Sequence, residues 1–94
     1  MSITDGILES LIQDGRTINL IQSYLHQCCN IDISLDELKK YINNLYLEQL
    51  IQIAFPSECM GLKQLDDTDF ENYWFELSKQ GEKECVNRNL MLEE

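Results

Sequence analysis

The stretch that decides the fold reads SLDELKKYINNLYLEQLIQIAF and spans residues 34–55. It opens with a capping box, because the Ser34 side chain can accept a hydrogen bond from the Glu37 N–H while the Glu37 side chain reaches back to the Ser34 N–H. Apolar residues then recur at the spacing of one helical face. We therefore predict a helix from Leu35 to about Gln49, with a polar face opposite its apolar one.

The period of the pattern changes directly after this helix. Ile51–Phe55 alternates and is rich in residues that favour strands, and Pro56 ends the run, as is typical of a β-strand. A second alternating stretch, Tyr73–Leu77, is aromatic. Because the polar segment Ser57–Asn72 separates the two stretches, we predict an antiparallel hairpin with a long connection.

Three further helices are predicted around this unit. Thr4 or Asp5 can cap the first, because each offers a side-chain oxygen to the free backbone N–H groups of a helix start. Thr17 and Ser78 can cap the second and the last in the same way. Gly15 suits the left-handed position that follows the first helix. The predicted ranges are Asp5–Asp14, Thr17 to about Cys28, and Lys79 to about Leu92.

Composition limits the classes of protein to consider. The 94 residues are 44% hydrophobic and 26% charged, which fits one globular domain over residues 1–94. The net charge of −10 disfavours a protein that coats nucleic acid or an anionic membrane, because both reward clustered Lys and Arg. The N-terminus lacks the pattern of a secretory signal and no apolar run is long enough to span a bilayer. We expect a cytoplasmic protein without a membrane partner.

The cysteines indicate neither disulfides nor a metal site. They are Cys28, Cys29, Cys59 and Cys85. In a cytoplasmic protein they stay reduced, and no closely spaced CxxC pair, of the kind that holds zinc, occurs. We predict that Cys28 and Cys85 are small buried hydrophobic residues, and we expect no metal.

Catalytic motifs are missing as well. The chain has one histidine, no GxSxG, no P-loop and no Gly-rich dinucleotide turn, so we expect neither an enzyme nor a bound cofactor. His26 is expected as an exposed polar residue of the second helix. At least one of the neighbouring aromatics Tyr73 and Trp74 is expected in the core, and the alternative is an exposed anchor for a partner.

The C-terminal segment leaves two possibilities open. Gly81 lowers the intrinsic stability of the last helix by up to about 1 kcal/mol relative to alanine. Leu90, Met91 and Leu92 form an apolar patch beyond it. A homodimer could bury this patch against a second copy, or a terminal turn could pack on the first helix.

The predicted order of three helices, a hairpin with a long loop and a terminal helix resembles a winged helix-turn-helix domain. Ile7–Ile12 followed by Gly15 resembles the first helix of that family. Leu35 to Ile51 resembles its third helix running directly into the first strand of the wing. Tyr73–Gly81 resembles its last strand and the following helix start. The resemblance implies an α+β, mostly α, fold with a three-helix core.

The resemblance also implies a site. In the family the third helix enters the DNA major groove and the wing touches the DNA backbone or minor groove. This places five polar residues of the third helix on the candidate reading face and one base on the wing. Asn can pair with adenine, and Lys can reach guanine or phosphate. The residues are Asp36, Lys39, Lys40, Asn43 and Asn44 on the helix, and Lys63 on the wing.

Charge on the wing argues against DNA. Lys63 stands there beside the acidic loop of Asp66, Asp67 and Asp69 and two further glutamates, and negative potential opposes phosphates. Two interpretations of such a loop are open: a docking surface for a basic partner, and a simply solvated run of charge. We therefore favour a non-enzymatic protein–protein interaction or regulatory adaptor module. The alternative is a sequence-specific DNA-binding transcriptional regulator.

Overall fold

The computed structural model describes residues 1–91 of the chain. This part folds into four α-helices and one two-stranded antiparallel hairpin. The fold is α+β and the predicted order of elements is confirmed. Two short 3-10 helices, Ser57–Cys59 and Asp67–Asn72, lie in the connection between the strands. The elements are α1 (Ile3–Ser10), α2 (Ile18–Cys29), α3 (Leu35–Leu47), β1 (Ile51–Phe55), β2 (Trp74–Leu77) and α4 (Lys79–Asn87).

Side-chain caps begin three of the helices as predicted. Thr17, Ser34 and Ser78 each accept a hydrogen bond from the backbone N–H three residues later, at 3.3, 3.2 and 3.0 Å. At α3 the structure shows the serine half of the predicted capping box. These caps satisfy backbone donors that have no partner inside the helix.

The first helix differs from the prediction at both ends. It begins at Ile3, because the Ser2 hydroxyl accepts the Asp5 N–H at 3.1 Å, and it ends at Ser10 rather than Asp14. Gly15 does not adopt a left-handed φ. Its role is close approach, since a Cβ there would lie 3.2 Å from the Phe75 carbonyl oxygen.

An isolated antiparallel β-bridge joins the segment after α1 to the hairpin. Arg16 and Phe75 exchange both backbone hydrogen bonds, Arg16 N–H to Phe75 C=O at 2.9 Å and the reverse at 2.8 Å. β2 therefore lies between β1 and Arg16. The β1–β2 register pairs Ile51 with Leu77, and an irregularity after Ile53 sets Phe55 opposite Trp74.

Left-handed residues end α3 and α4 earlier than predicted. Gln49 has a φ of 65°, so α3 ends at Leu47 and the Leu50 N–H returns to the Leu45 C=O at 3.0 Å. Asn89 has a φ of 61° and closes α4 at Asn87 in the same manner. The reason is a Schellman-type end, which satisfies carbonyls that the helix leaves free.

The C-terminal patch is partly buried after this turn. The Leu90 N–H bonds to the Cys85 C=O at 2.8 Å, and Leu90 and Met91 pack in part against the core. Arg88 holds the turn to α1, with its Nη1 2.7 Å from the Asp5 carboxylate. Leu92, which belonged to the expected patch, lies outside the described residues. A dimer through this segment stays a prediction.

The core joins all four helices to the inner face of the hairpin. Tyr73 is buried and Trp74 is exposed, which confirms the prediction that at least one of the two packs inside. Cys85 is buried as predicted, but the prediction for Cys28 is wrong, because its position on α2 faces solvent. The largest fully buried side chains are Tyr73, Phe75, Ile7, Leu8, Ile18, Ile21, Leu25, Leu38, Ile42, Ile51, Ile53 and Cys85.

Two apolar residues of the polar connection also reach the core. Leu65 and Phe70 are buried, and the Phe70 ring lies 6.1 Å from that of Tyr73 and 5.7 Å from that of Phe75. Aromatic pairs at such spacing attract one another beyond their burial. The connection is therefore held down by an aromatic cluster. Among residues 1–91, no helix has the length and apolarity to cross a membrane.

Candidate interaction surface

Residues of the connection lie beside the polar face of α3. Together with the connection it forms a groove of about 360 Å³, which we call the α3 groove. The structure brings four of the predicted reading-face residues and one residue of the acidic loop into this groove. Two predicted residues lie elsewhere, since Asn44 is exposed outside it and Lys63 lines a different groove. The lining residues are Asp36, Lys39, Lys40, Asn43, Gln64, Leu65, Asp67 and Phe70.

Lys39 joins α3 to the connection within the α3 groove. Its Nζ lies 3.5 Å from Asp67 Oδ1 and 5.8 Å from the centre of the Phe70 ring. The lysine side chain is 23% exposed, whereas that of Asp67 is 86% exposed. Both the carboxylate and the aromatic face attract the Lys39 ammonium group, and the exposed ion pair is the weaker anchor of the two segments. Lys39 is thus engaged by the connection and is not presented freely to a ligand.

Local bonds explain why the acidic loop takes this shape. Asp66 accepts hydrogen bonds from the Thr68 N–H at 2.9 Å and the Thr68 hydroxyl at 2.7 Å, and these bonds lower the pKa of the Asp66 carboxyl. The Asp66 N–H donates to the buried Tyr73 hydroxyl at 3.1 Å. The loop is an ordered turn with outward-facing carboxylates, including that of Asp69.

A DNA-binding surface would have to bring the bases of the chain together, Arg16 included, but they are dispersed. Arg16 stacks 5.2 Å above the Tyr24 ring and donates from Nε to the Ser10 C=O at 2.6 Å. Lys63 is exposed and does not line the α3 groove. Arg16, Lys39 and Lys63 therefore each belong to a different local environment, and Lys40 has Asp36 and Asp67 as neighbours in its groove.

A larger groove of about 1060 Å³ lies beside the hairpin, and we call it the hairpin groove. It is formed by the end of α3, residues 60–63 of the connection, the strands, and the start of α4. Within the groove, Tyr46 of α3 donates its hydroxyl to the Leu62 C=O of the connection. Its lining residues are Tyr46, Leu47, Gln49, Ile51, Gln52, Ile53, Met60, Gly61, Leu62, Lys63, Glu76, Leu77, Ser78, Lys79, Gln80 and Glu82.

Exposed apolar side chains mark the hairpin groove. Leu47 is 57% exposed and Met60 is 54% exposed. Their charged neighbours are balanced, with Lys63 and Lys79 against two glutamates. Sequence reasoning missed this surface, because three separate segments of the chain build it, residues 46–53, 60–63 and 76–82. The one available signal was Leu47, which flanks the apolar face of α3 without belonging to its core positions.

Two further pairs of titratable groups lie outside both grooves. His26 on α2 is exposed, as predicted, and its Nδ1 contacts the Asp32 carboxylate. Tyr24 donates its hydroxyl to Glu9 at 2.7 Å, and this bond raises the pKa of Tyr24 to about 12. Within residues 1–91, no three side chains of the metal-ligating types converge. The absence of a metal, a cofactor and an activity stays a prediction.

Comparison with protein-family models, with curated proteins and with solved structures finds no match to this chain. The two grooves and their charges are therefore the features of this chain that bear on its function. The α3 groove carries the residues that the sequence singled out. The hairpin groove carries two of the exposed large apolar side chains, Leu47 and Met60.

Proposed function

We propose that this chain is a non-enzymatic, winged-helix-like module that binds another protein chain. One observation carries the proposal: the connection packs against the polar face of α3 and pairs Asp67 with Lys39 at 3.5 Å. In a DNA-reading domain this face must meet phosphates and base edges. Here Lys39, one of the bases that would contact a phosphate, is already paired with the Asp67 carboxylate.

The distribution of charge supports the same proposal. Non-specific DNA affinity grows with the number of phosphates that Lys and Arg neutralise, and useful binding takes several such contacts. Arg16, Lys39 and Lys63 do not share one surface, and carboxylates flank Lys40. Asp66, Asp67 and Asp69 on the connection would approach the DNA backbone together with the helix and repel it.

The hairpin groove supplies the surface on which a protein can bind. Protein interfaces combine a desolvated apolar centre with a polar rim. Leu47 and Met60 supply exposed apolar area, and the tyrosine and lysines of the lining supply a polar surround. The groove therefore has the apolar centre and polar surround that a protein interface needs, whereas the chain lacks the shared basic surface that DNA binding needs.

Fluorescence anisotropy with a labelled random duplex tests the exclusion of DNA. We expect a Kd weaker than about 10⁻⁴ M at physiological salt, at the weak limit of non-specific binding. Asp67→Asn, which releases Lys39, is the matched variant and should raise affinity at low salt. Micromolar binding by the wild-type chain that is lost in Lys39→Glu/Lys40→Glu would favour the alternative, a DNA-binding transcriptional regulator.

Pull-down from native lysate tests the protein partner. The bait is the wild-type chain, with Leu47→Lys and Met60→Lys as groove variants. Leu20→Lys is the control, because Leu20 is 41% exposed on α2 and does not line the hairpin groove. We expect a partner that the control retains and both groove variants lose. Equal recovery by all four baits would contradict the proposed surface.

A further inference from the structure

Strand β1 lies at the edge of the sheet, and the hydrogen bonds of β2 show which backbone groups of β1 face outward. In an antiparallel pair, successive residues of a strand direct their N–H and C=O groups to opposite sides. Phe75 on β2 uses both of its groups on Arg16. The next residue, Glu76, therefore directs its groups toward β1, where its register partner is Gln52. The backbone groups of Gln52 in turn face β2.

The two neighbours of Gln52 on β1 consequently direct their backbone groups away from the sheet. These neighbours are Ile51 and Ile53, and each has one N–H and one C=O on the open side. Within residues 1–91, no hydrogen bond joins these four groups to a loop, a helix or a side chain. Both residues are only 2% exposed. Buried backbone groups without a partner are rare in folded proteins, so this edge lacks the partner that another strand would supply.

The hairpin groove contains this edge, since residues 51–53 line it together with Leu47 and Met60. A strand in the groove would place two side chains opposite Ile51 and Ile53, on the core face of the sheet. The side chain between those two would lie beside Gln52, which is exposed on the outer face. The edge therefore fits a segment in which apolar and polar side chains alternate. The α3 groove offers no such edge, because a helix and the connection line it.

The depth of the edge distinguishes a single extended segment from a second folded copy of the chain. Adjacent strands of a sheet lie about 4.8 Å apart. Ile51 and Ile53 are 2% exposed, whereas Leu47 and Met60 of the same groove are 57% and 54% exposed. A second copy would have to bring its own recessed β1 to that spacing past two sets of projecting side chains. A single extended segment has no surrounding fold to obstruct it.

We propose that the hairpin groove binds an extended segment of a partner protein, which adds to the hairpin as a strand beside β1. Backbone hydrogen bonds to Ile51 and Ile53 supply affinity, and apolar side chains at alternate positions of the segment, packed against Leu47 and Met60, supply specificity. The inference rests on the proposed function, because it names the kind of occupant that the protein-binding groove takes.

A phage-displayed library of random peptides, each about ten residues long as the longer natural strands are, is the probe. It is selected on the immobilised wild-type chain. We expect the selected peptides to share apolar residues at alternate positions and to bind Leu20→Lys as well as the wild-type chain. Affinity for Leu47→Lys and Met60→Lys should fall about tenfold, as expected for a lost apolar contact. A library that yields no binder, or peptides that bind all four chains equally, would overturn the proposal.

An N-methyl scan of a selected peptide tests strand addition itself. N-methylation removes one backbone donor of the peptide and leaves its side chain in place. We expect affinity to fall about tenfold at the alternate residues that face β1, which is the effect of one lost hydrogen bond. The residues between them should tolerate the methyl group. A peptide that tolerates N-methylation at every position would overturn the proposal.

Amide hydrogen exchange, followed by NMR, gives the matching measurement on this chain. In the free chain the amides of Ile51 and Ile53 should exchange faster than that of Gln52, which is bonded to β2. A bound peptide should slow exchange at Ile51 and Ile53 about tenfold or more and leave Gln52 nearly unchanged, because only the outward amides gain a partner. Unchanged exchange at Ile51 and Ile53 in the bound chain would overturn strand addition.

The two proposals fail separately. A lysate partner that depends on Leu47 and Met60 but leaves exchange at Ile51 and Ile53 unchanged would refute strand addition and leave the protein-binding function in place. A dimer in sedimentation equilibrium that Leu47→Lys dissociates would make a second copy the occupant and overturn the extended segment. A DNA-binding chain with no dependence on the groove would refute the function itself.

Discussion

Lys39 and Asp67 lie far apart in the sequence and form an ion pair with 3.5 Å between Nζ and Oδ1. The same lysine also contacts the ring of Phe70. That ring is buried against Tyr73 and Phe75. The ring and the carboxylate therefore contribute unequally to holding the connection on α3.

This inequality predicts opposite outcomes for two truncations. Asp67→Ala should change the free energy of unfolding by no more than about 1 kcal/mol, because an exposed ion pair contributes little. Phe70→Ala should cost about 3–5 kcal/mol, because it leaves a cavity in the aromatic cluster. Urea denaturation of both variants decides, and equal losses of stability would show that the connection is not anchored by Phe70.

The cap of α3 gives a second prediction. Ser34→Ala should lower the free energy of unfolding by about 1 kcal/mol, since the Glu37 N–H loses its acceptor. Ser23→Ala is the control, because Ser23 is exposed in the interior of α2 and alanine favours a helix there. An unchanged denaturation midpoint for Ser34→Ala would exclude Ser34 as the stabilising cap.

Gly81 gives a third prediction, which reverses the expectation from helix propensity. Alanine is the better helix former by up to about 1 kcal/mol, but a Cβ at Gly81 would lie 1.9 Å from the Leu50 carbonyl oxygen. We expect Gly81→Ala to destabilise the chain by about 1–3 kcal/mol, as overpacking does. Gln80→Ala, on an exposed position of the same helix, should be near neutral in thermal melts. A stabilised Gly81→Ala would contradict the close contact.

The Tyr24–Glu9 hydrogen bond gives a prediction for pH. The pKa of Tyr24 is raised from 10.0 to about 12 in the folded chain, chiefly because its hydroxyl donates to the Glu9 carboxylate. The stabilisation is complete below pH 10 and is lost as the pH rises toward 12, where the folded state must also release the proton. We expect the urea midpoint of the wild-type chain to fall between pH 9.5 and 11.5. Tyr24→Phe should fall less over that interval, and an equal fall in both would contradict the assignment.

Local patterns explain what the sequence could predict. The cap at Ser34 and the change of period at Ile51 depend on neighbouring residues, so α3 and β1 are found from them. The ends of α3 and α4 were misplaced because Gln49 and Asn89 take left-handed conformations that are commoner for glycine. Nothing local distinguishes Gly15, whose role depends on the distant strand β2.

The candidate surfaces were predicted only in part. Residues of one helical face, such as Lys39 and Asn43, are neighbours by spacing alone. Their contact with Asp67 depends on the burial of Phe70, a single apolar residue within an acidic run that gives no periodic signal. The hairpin groove depends on three segments of the chain meeting in space, and no spacing in the sequence relates Leu47 to Met60.

The burial of Leu65 and Phe70 has a consequence for engineering and for divergence of this chain. The segment joining the two strands cannot be exchanged for a short tight turn, because such grafting would remove part of the aromatic packing along with the loop. Length can change instead at Gly61, where φ is +79° and no other atoms lie within 4 Å of a built Cβ. The fold should therefore accept insertions and peptide tags at Gly61 and reject them between Leu65 and Phe70. Because Gly61 lines the hairpin groove, an insertion there should keep the fold and block the proposed binding surface.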